Sequence, residues 1–197
     1  MTLAIIIPVN SPEDGKSRLK GALTDVDRLS LNWWLFANTL NVVDSLKDVA
    51  RIYVVSRSAA ILSEAARRGF GTYCEPDDSD GLNAAIGQAA QLAAEGGASE
   101  VMVLPVDLPL LVADSLREAI ALFEAGLDVA IVTDERGSGT NLMMWRPIGA
   151  ARFRYGPDSA DAHEAVARAA GLRIDVRRDP ILSFDLDTPE DLKRWRT

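Results

Sequence analysis

The chain has 197 residues and is 48% hydrophobic, enough to bury the core of one domain. Its 21 Lys and Arg against 29 Asp and Glu give a formal net charge of −8, which excludes a nucleic-acid binder working through basic surface. A single cysteine, Cys74, and a single histidine, His163, exclude an internal disulfide, a cysteine zinc site and a multi-histidine metal centre. An acidic balance is compatible with a nucleotide substrate, because a divalent cation bridges carboxylates to phosphates. No run of about 18 apolar residues occurs, so no membrane span is expected. The start, Met1 to Pro8, enters a strand pattern without a basic segment, which reads as a cytoplasmic protein without a signal peptide.

Strand and helix patterns alternate along the chain. Leu3 to Val9 is an apolar strand, followed by a polar loop over residues 10–20. A long helix is expected over Asp25 to Leu46, with Trp33 and Trp34 about 100° apart on it. One tryptophan then faces the core, and the other marks a homodimer face or sits half-buried on a monomer. Ile52 to Ser56 is a second strand, and Ala59 to Arg68 a helix closed by Gly69. Phe70 to Cys74 is a third strand, with Cys74 expected in the core. An acidic loop spans Glu75 to Asp80, and an Ala-rich helix runs from Leu82 to Ala94, ended by Gly96 and Gly97.

Residues 101–104 read as a buried strand that stops at Pro105 and presents one carboxylate, Asp107, before Pro109. Ligands of open α/β sheets bind at the carboxyl ends of the strands, so Asp107 is a candidate metal ligand; the alternative is a turn aspartate bonded to its own backbone. Then come a helix over Asp114 to Ala125, a strand over Asp128 to Thr133, the Gly137-Ser138-Gly139 turn and a strand over Thr140 to Trp145. A helix near Asp161 to Ala170, a strand over Leu172 to Val176, a short strand over Leu182 to Leu186 and a terminal helix complete the chain. Strands separated by helices predict one α/β domain over residues 1–197. It is a Rossmann-like three-layer sandwich, with a mostly parallel sheet and helices on both faces.

Four loops carry polar chemistry. Lys16, Ser17 and Arg18 follow the first strand, where two cations meet phosphates or form a solvated basic loop. Neither a Walker A motif nor a Gly-x-Gly-x-x-Gly fingerprint is present. Asn83 opens the Ala-rich helix and either bonds a base or ribose or helps to start the helix. Gly137 to Asn141 offers close backbone approach, a hydroxyl at Thr140 and an amide at Asn141, or a plain turn. Last, alternation puts Asp185 and Asp187 on one strand face, where they repel unless a cation intervenes. Thr188, Pro189 and Asp191 have the spacing of a helix cap. His163 lies at a helix start and reads as an imidazole bonded to a neighbour rather than a catalytic group.

The strand ending in Pro105-Val106-Asp107-Leu108-Pro109, with the late Asp185-Leu186-Asp187-Thr188-Pro189-Glu190-Asp191-Leu192, resembles nucleotidyltransferases of the glycosyltransferase-A-like, nucleotide-diphospho-sugar transferase fold. The opening Ile7-Pro8-Val9, with Lys16-Ser17-Arg18-Leu19 in place of a Leu-Ala-Gly-Gly loop, is similar to the 2-phospho-L-lactate or phosphoenolpyruvate guanylyltransferase family of coenzyme F420 biosynthesis. Leu82-Asn83, Gly139-Thr140-Asn141 and Gly156 with Ser159 ahead of His163 add to the match. The resemblance implies Mg²⁺-dependent transfer of GMP from GTP to phosphoenolpyruvate, 2-phospho-L-lactate or 3-phosphoglycerate, with a downstream transferase consuming the product. It implies Asp107, Asp187 and Asp185 at the metal, and Lys16 and Arg18 at the triphosphate. It further implies Thr140, Gly156 and Ser159 at the acceptor, with Asn83 and Asn141 nearby. Two departures stand out: Asp158 occupies a position where the family run has glycine, and Glu13 and Asp14 bring acids into the first loop. A glycosyltransferase or a noncatalytic nucleotide binder of the same fold are the alternatives; the single proline-flanked Asp107 argues against the first.

Overall fold

A computed structural model describes residues 2–76 and 81–196. Residues 77–80 of the predicted acidic loop lie outside them. Among the described residues, seven strands form one sheet in the order β3-β2-β1-β4-β6-β5-β7. The strands are β1 (Leu3–Pro8), β2 (Ala50–Ser56), β3 (Gly71–Cys74), β4 (Glu100–Val103), β5 (Val129–Thr133), β6 (Thr140–Trp145) and β7 (Ile174–Arg177). The helices are α1 (Asp25–Asp44), α2 (Ala59–Arg67), α3 (Leu82–Glu95), α4 (Ala113–Glu124), α5 (Ser159–Ala169) and α6 (Pro189–Arg196). The expected single α/β domain with a mostly parallel sheet is what forms.

All pairings are parallel except those of β6, which runs antiparallel to β4 and β5. That reversal matters for the site. It brings the first residues of β6, Thr140 and Asn141, to the same edge as the carboxyl ends of β1 and β4. A register shift between Val132 and Thr133 bulges β5 beside them.

The sheet is covered on both faces. One apolar cluster joins Ile5, Ile7, Val54 and Met102 to Phe36 and Leu40 of α1 and Phe123 of α4. The other joins Ala4, Ile6, Val103 and Trp145 to the alanines of α3 and to Ala167 of α5. The Ala-rich sequence of α3 lets that helix lie close on the sheet. A third, smaller cluster of Leu19, Leu31, Leu35, Leu186 and Leu192 ties the loop after β1 to the chain's last turns.

Helix ends follow the sequence signals. Gly69 and Gly97 take positive φ, and their N–H groups and the next ones close the ends of α2 and α3 on Ala65, Ala66, Ala93 and Ala94. At α6 the Thr188 hydroxyl accepts from Asp191 N–H at 3.3 Å, and Asp191 Oδ2 accepts from Thr188 N–H at 2.7 Å, a reciprocal cap.

Two expectations fail. Leu182 to Leu186 is not a strand. Its alternation is real, since Leu182, Phe184 and Leu186 are buried, but its amides go elsewhere: Leu182 N–H to Asp179 Oδ1, and Leu186 N–H to the Asp107 carbonyl. Cys74 is exposed rather than in the core. It ends the edge strand β3, where Tyr73 packs inward and the alternate residues Thr72 and Cys74 face out. Trp33 packs edge-on against Phe36, while Trp34 is 43% exposed and lies against Trp195. Among the described residues, no helix is long and apolar enough to cross a membrane.

Candidate active site

Lys16 lies in the loop between β1 and a single 3-10 turn, Ser17–Leu19, with φ 53°. Long side chains of α1 hold that loop. The Arg28 guanidinium donates to the carbonyls of Glu13 at 2.6 Å and Gly15 at 2.7 Å, and Asn32 donates to Pro12 O at 2.6 Å. A Cβ at Gly15 would lie 2.7 Å from the Asn32 amide and would force that side chain, and its bond to Pro12, to shift.

The loop aims Lys16 at two aspartates from distant parts of the chain. Its ammonium sits 2.8 Å from Asp187 Oδ1 and 3.3 Å from Asp107 Oδ2. Burial alone would lower the lysine's pKa; the two carboxylates outweigh it and hold the ammonium above its ordinary value. Arg18 reaches Asp187 Oδ2 at 3.4 Å from a largely exposed position.

Asp107 follows β4, and its carbonyl accepts from Leu186 N–H at 2.9 Å, which seats the late Asp-Leu-Asp segment against it. Asp107 Oδ1 is buried with no hydrogen-bond partner. Asp185 lies beside them. Burial, with Asp107 and Asp187 adding repulsion, pushes its carboxyl up to about 6, although Asn141 donates to it at 3.5 Å. An orphaned carboxylate oxygen and crowded acids are a donor set that suits a hard dication. Even so, no group of three metal-ligating side chains is preformed among the described residues, and the Lys16 ammonium bridges Asp107 and Asp187.

Two clefts meet here, and Asp107 and Asp187 line both. One, about 320 Å³, runs along the loop after β1 past Asn10, Ser11, Lys16 and Glu75. It lies at the carboxyl ends of β1 and β4, between which the strand order reverses. The other, about 650 Å³, is lined by Arg18, Thr140, Asn141, Gly156, Ser159 and Asp185, among others. Thr140 and Ser159 are buried, their hydroxyls 3.1 Å apart.

Asn83 is not the helix cap, a place taken by Gly81. It accepts from Tyr155 N–H at 2.7 Å and donates to Tyr155 O at 2.9 Å, tying α3 to the segment before Gly156. Asn141 likewise donates to Leu182 O at 3.0 Å, steadying the segment that carries Asp185. The glycine turn offers less than its composition suggests. Both Ser138 and Gly139 N–H groups donate to Asp134 Oδ1, at 2.8 and 2.9 Å, so the turn closes on its own carboxylate. Asp158 is exposed with φ 52°, the left-handed conformation that glycine adopts without strain.

Sequence reasoning overlooked Asp134 and Tyr155. The Tyr155 hydroxyl is buried without a partner in the wall of the larger cleft, and burial raises its pKa. His163 is bonded to its neighbours, as expected, and is fully buried.

The chain is similar to known proteins along nearly its whole length. A phosphoenolpyruvate guanylyltransferase of Rubrobacter xylanophilus is 35% identical over 196 residues, covering 98% of this chain and 93% of the relative. One from Chloroflexus aggregans is 34% identical over 198 residues, with 98% and 96% covered. Among solved structures, a protein of Desulfovibrio desulfuricans provisionally assigned as a nucleotide-diphospho-sugar transferase superposes with a TM-score of 0.78 at 19% identity, covering 98% of this chain and 85% of that one. A CMP:2-keto-3-deoxy-manno-octonic acid synthetase complexed with CTP gives 0.60 at 13% identity, with 100% and 97% covered. These two likenesses concern the fold. The family model described as guanylyl transferase CofC like matches residues 3–195, and this chain belongs to that family.

Proposed function

We propose that this protein transfers GMP from GTP to a small phosphorylated three-carbon acid, with phosphoenolpyruvate the first choice, and releases pyrophosphate, in coenzyme F420 biosynthesis. The supporting observation is that two clefts meet at Asp107, Asp187 and Lys16. Two anionic reactants can therefore meet with their reacting phosphates between one cation and two metal-binding acids. The names of the relatives supply the substrate classes.

GTP occupies the cleft beside β1, and the acid occupies the cleft at Thr140, Gly156 and Ser159. A phosphate oxygen of the acid attacks the α-phosphorus of GTP, and the bond to the pyrophosphate oxygen breaks. The attacking oxygen is already ionised, so no general base is required. Lys16 and Arg18 neutralise charge on the phosphates, which in a partly buried site is the largest contribution a side chain can make. Mg²⁺ is the expected metal, held by Asp107 and Asp187 with Asp185 in support. When bound, it supplies Lewis-acid stabilisation of the phosphoryl oxygens. Lys16 balances those same acids before the substrates arrive.

The test is pyrophosphate release from GTP and Mg²⁺ with phosphoenolpyruvate, 2-phospho-L-lactate or 3-phosphoglycerate, beside an Asp107→Ala control. Release with one acid, abolished in the variant, supports the proposal and names the acceptor. No release with any acid, even with the downstream transferase present, refutes it.

A further inference from the structure

His163 is fully buried on α5, behind the cleft wall. Its Nε2 accepts the Arg154 backbone N–H at 2.8 Å. A backbone amide always donates, so Nε2 carries no proton. Neutral imidazole has one ring proton, and here it must lie on Nδ1. Burial, together with the Arg154 charge, lowers the pKa to about 4, which keeps the ring neutral. Nδ1 lies 3.1 Å from Thr140 Oγ1, and the Ser159 backbone is a further partner of the ring, so a protonated Nδ1 faces acceptors and cannot accept from the hydroxyl.

Proton counting then fixes what Thr140 and Ser159 can do. Their oxygens are 3.1 Å apart, and one hydroxyl proton bridges them. The second cannot go to His163, whose Nδ1 is protonated. Thr140 and Ser159 line the larger cleft, so that proton is available to a ligand there. With the other tautomer, Thr140 would spend its proton on the ring.

We infer that His163 is a positioning residue: through a fixed Nδ1–H tautomer it holds the Thr140–Ser159 pair as a hydrogen-bond donor to an anionic oxygen of the acceptor acid. This rests on placing the acceptor in the larger cleft, as proposed above. His163 touches no substrate; it acts through Thr140.

Two experiments test it. The chain has one histidine, so long-range ¹⁵N spectra of histidine-labelled protein report this ring alone. A protonated Nδ1 with a bare Nε2 is expected at neutral pH, and the signal should move when phosphoenolpyruvate is added to protein holding Mg²⁺-GTP. An Nε2–H pattern, or no movement, overturns the inference. The tautomer reading needs neither substrate nor turnover, so it stands apart from failure of the guanylyltransferase assay; the movement is read only where that assay succeeds. The second arm is kinetic. In His163→Asn the amide nitrogen sits near the Nδ1 position and should keep the acid's KM close to wild type. His163→Gln reaches the Nε2 position instead and should raise that KM about tenfold, the effect of one lost hydrogen bond, with the KM for GTP little changed. In a Thr140→Val background the His163→Gln effect should vanish. Equal rises in both KM values, or additive effects with Thr140→Val, overturn the inference.

Discussion

Lys16 Nζ lies 2.8 Å from Asp187 Oδ1, although 171 residues separate the two. The same ammonium reaches Asp107, so one cation from the first loop balances acids from the middle and the end of the chain. Replacing it with an uncharged chain of similar length leaves two facing carboxylates with nothing between them. Lys16→Met is expected to reduce kcat by on the order of 100-fold or more, the scale seen when one preorganised charge at a phosphoryl centre is removed. Steady-state pyrophosphate release at saturating substrates measures it; a loss confined to KM would contradict the role.

Asp185 is strained by burial and by its neighbours Asp107 and Asp187. Its neutral isostere removes that repulsion in the metal-free protein. Asp185→Asn should stabilise the metal-free protein at pH 7 by on the order of 1 kcal/mol after solvent screening, raising Tm by about 2–4 °C. The upward shift produced by adding Mg²⁺ should shrink, because a ligand's stabilisation scales with its affinity. Thermal melts with and without Mg²⁺ read both effects. A destabilised variant with an unchanged Mg²⁺ shift would contradict them.

His163 makes stability pH-dependent. Its pKa falls from 6.5 in the unfolded chain to about 4 in the fold. Between those values the unfolded chain binds the extra proton, so stability rises with pH there. Its contribution is fully present above 6.5, is lost as pH falls towards 4, and amounts to on the order of 3 kcal/mol. Urea titrations from pH 7.5 to 4 on wild type and His163→Asn isolate it, since other groups cancel in the difference. Identical slopes for the two proteins would count against a neutral buried ring.

Asp158 holds φ 52° with no side-chain cap bond. Alanine at this position keeps the left-handed cost, whereas glycine has no such cost. Asp158→Ala should be less stable than Asp158→Gly by about 1 kcal/mol. Chemical denaturation of the pair is sufficient, and equal midpoints would refute the backbone argument.

The sequence by itself determined the alternation of strands and helices, the buried β4 running to Pro105 and the Thr188–Asp191 cap, and it marked Asp107, Asp185 and Asp187 as candidate site acids. These are local matters of periodicity, turn chemistry and residue type, which neighbouring residues decide among themselves. It also gave the family resemblance. Period-2 alternation over Leu182 to Leu186 told truly which residues are buried but not whether the segment pairs with a strand, since extended chain and ladder share that pattern. Cys74 failed for a related reason, because residue type does not say which face of an edge strand is covered. Only the tertiary structure reversed β6 and so brought Thr140 and Asn141 to the edge that carries Asp107. It alone spent the Asn83 amide on Tyr155 and the glycine-turn amides on Asp134. It also packed Leu19 with Leu186 and Leu192, which carries Lys16 to Asp187. Those outcomes depend on burial of apolar side chains far apart in the chain, and a residue's spacing to its neighbours carries no record of that.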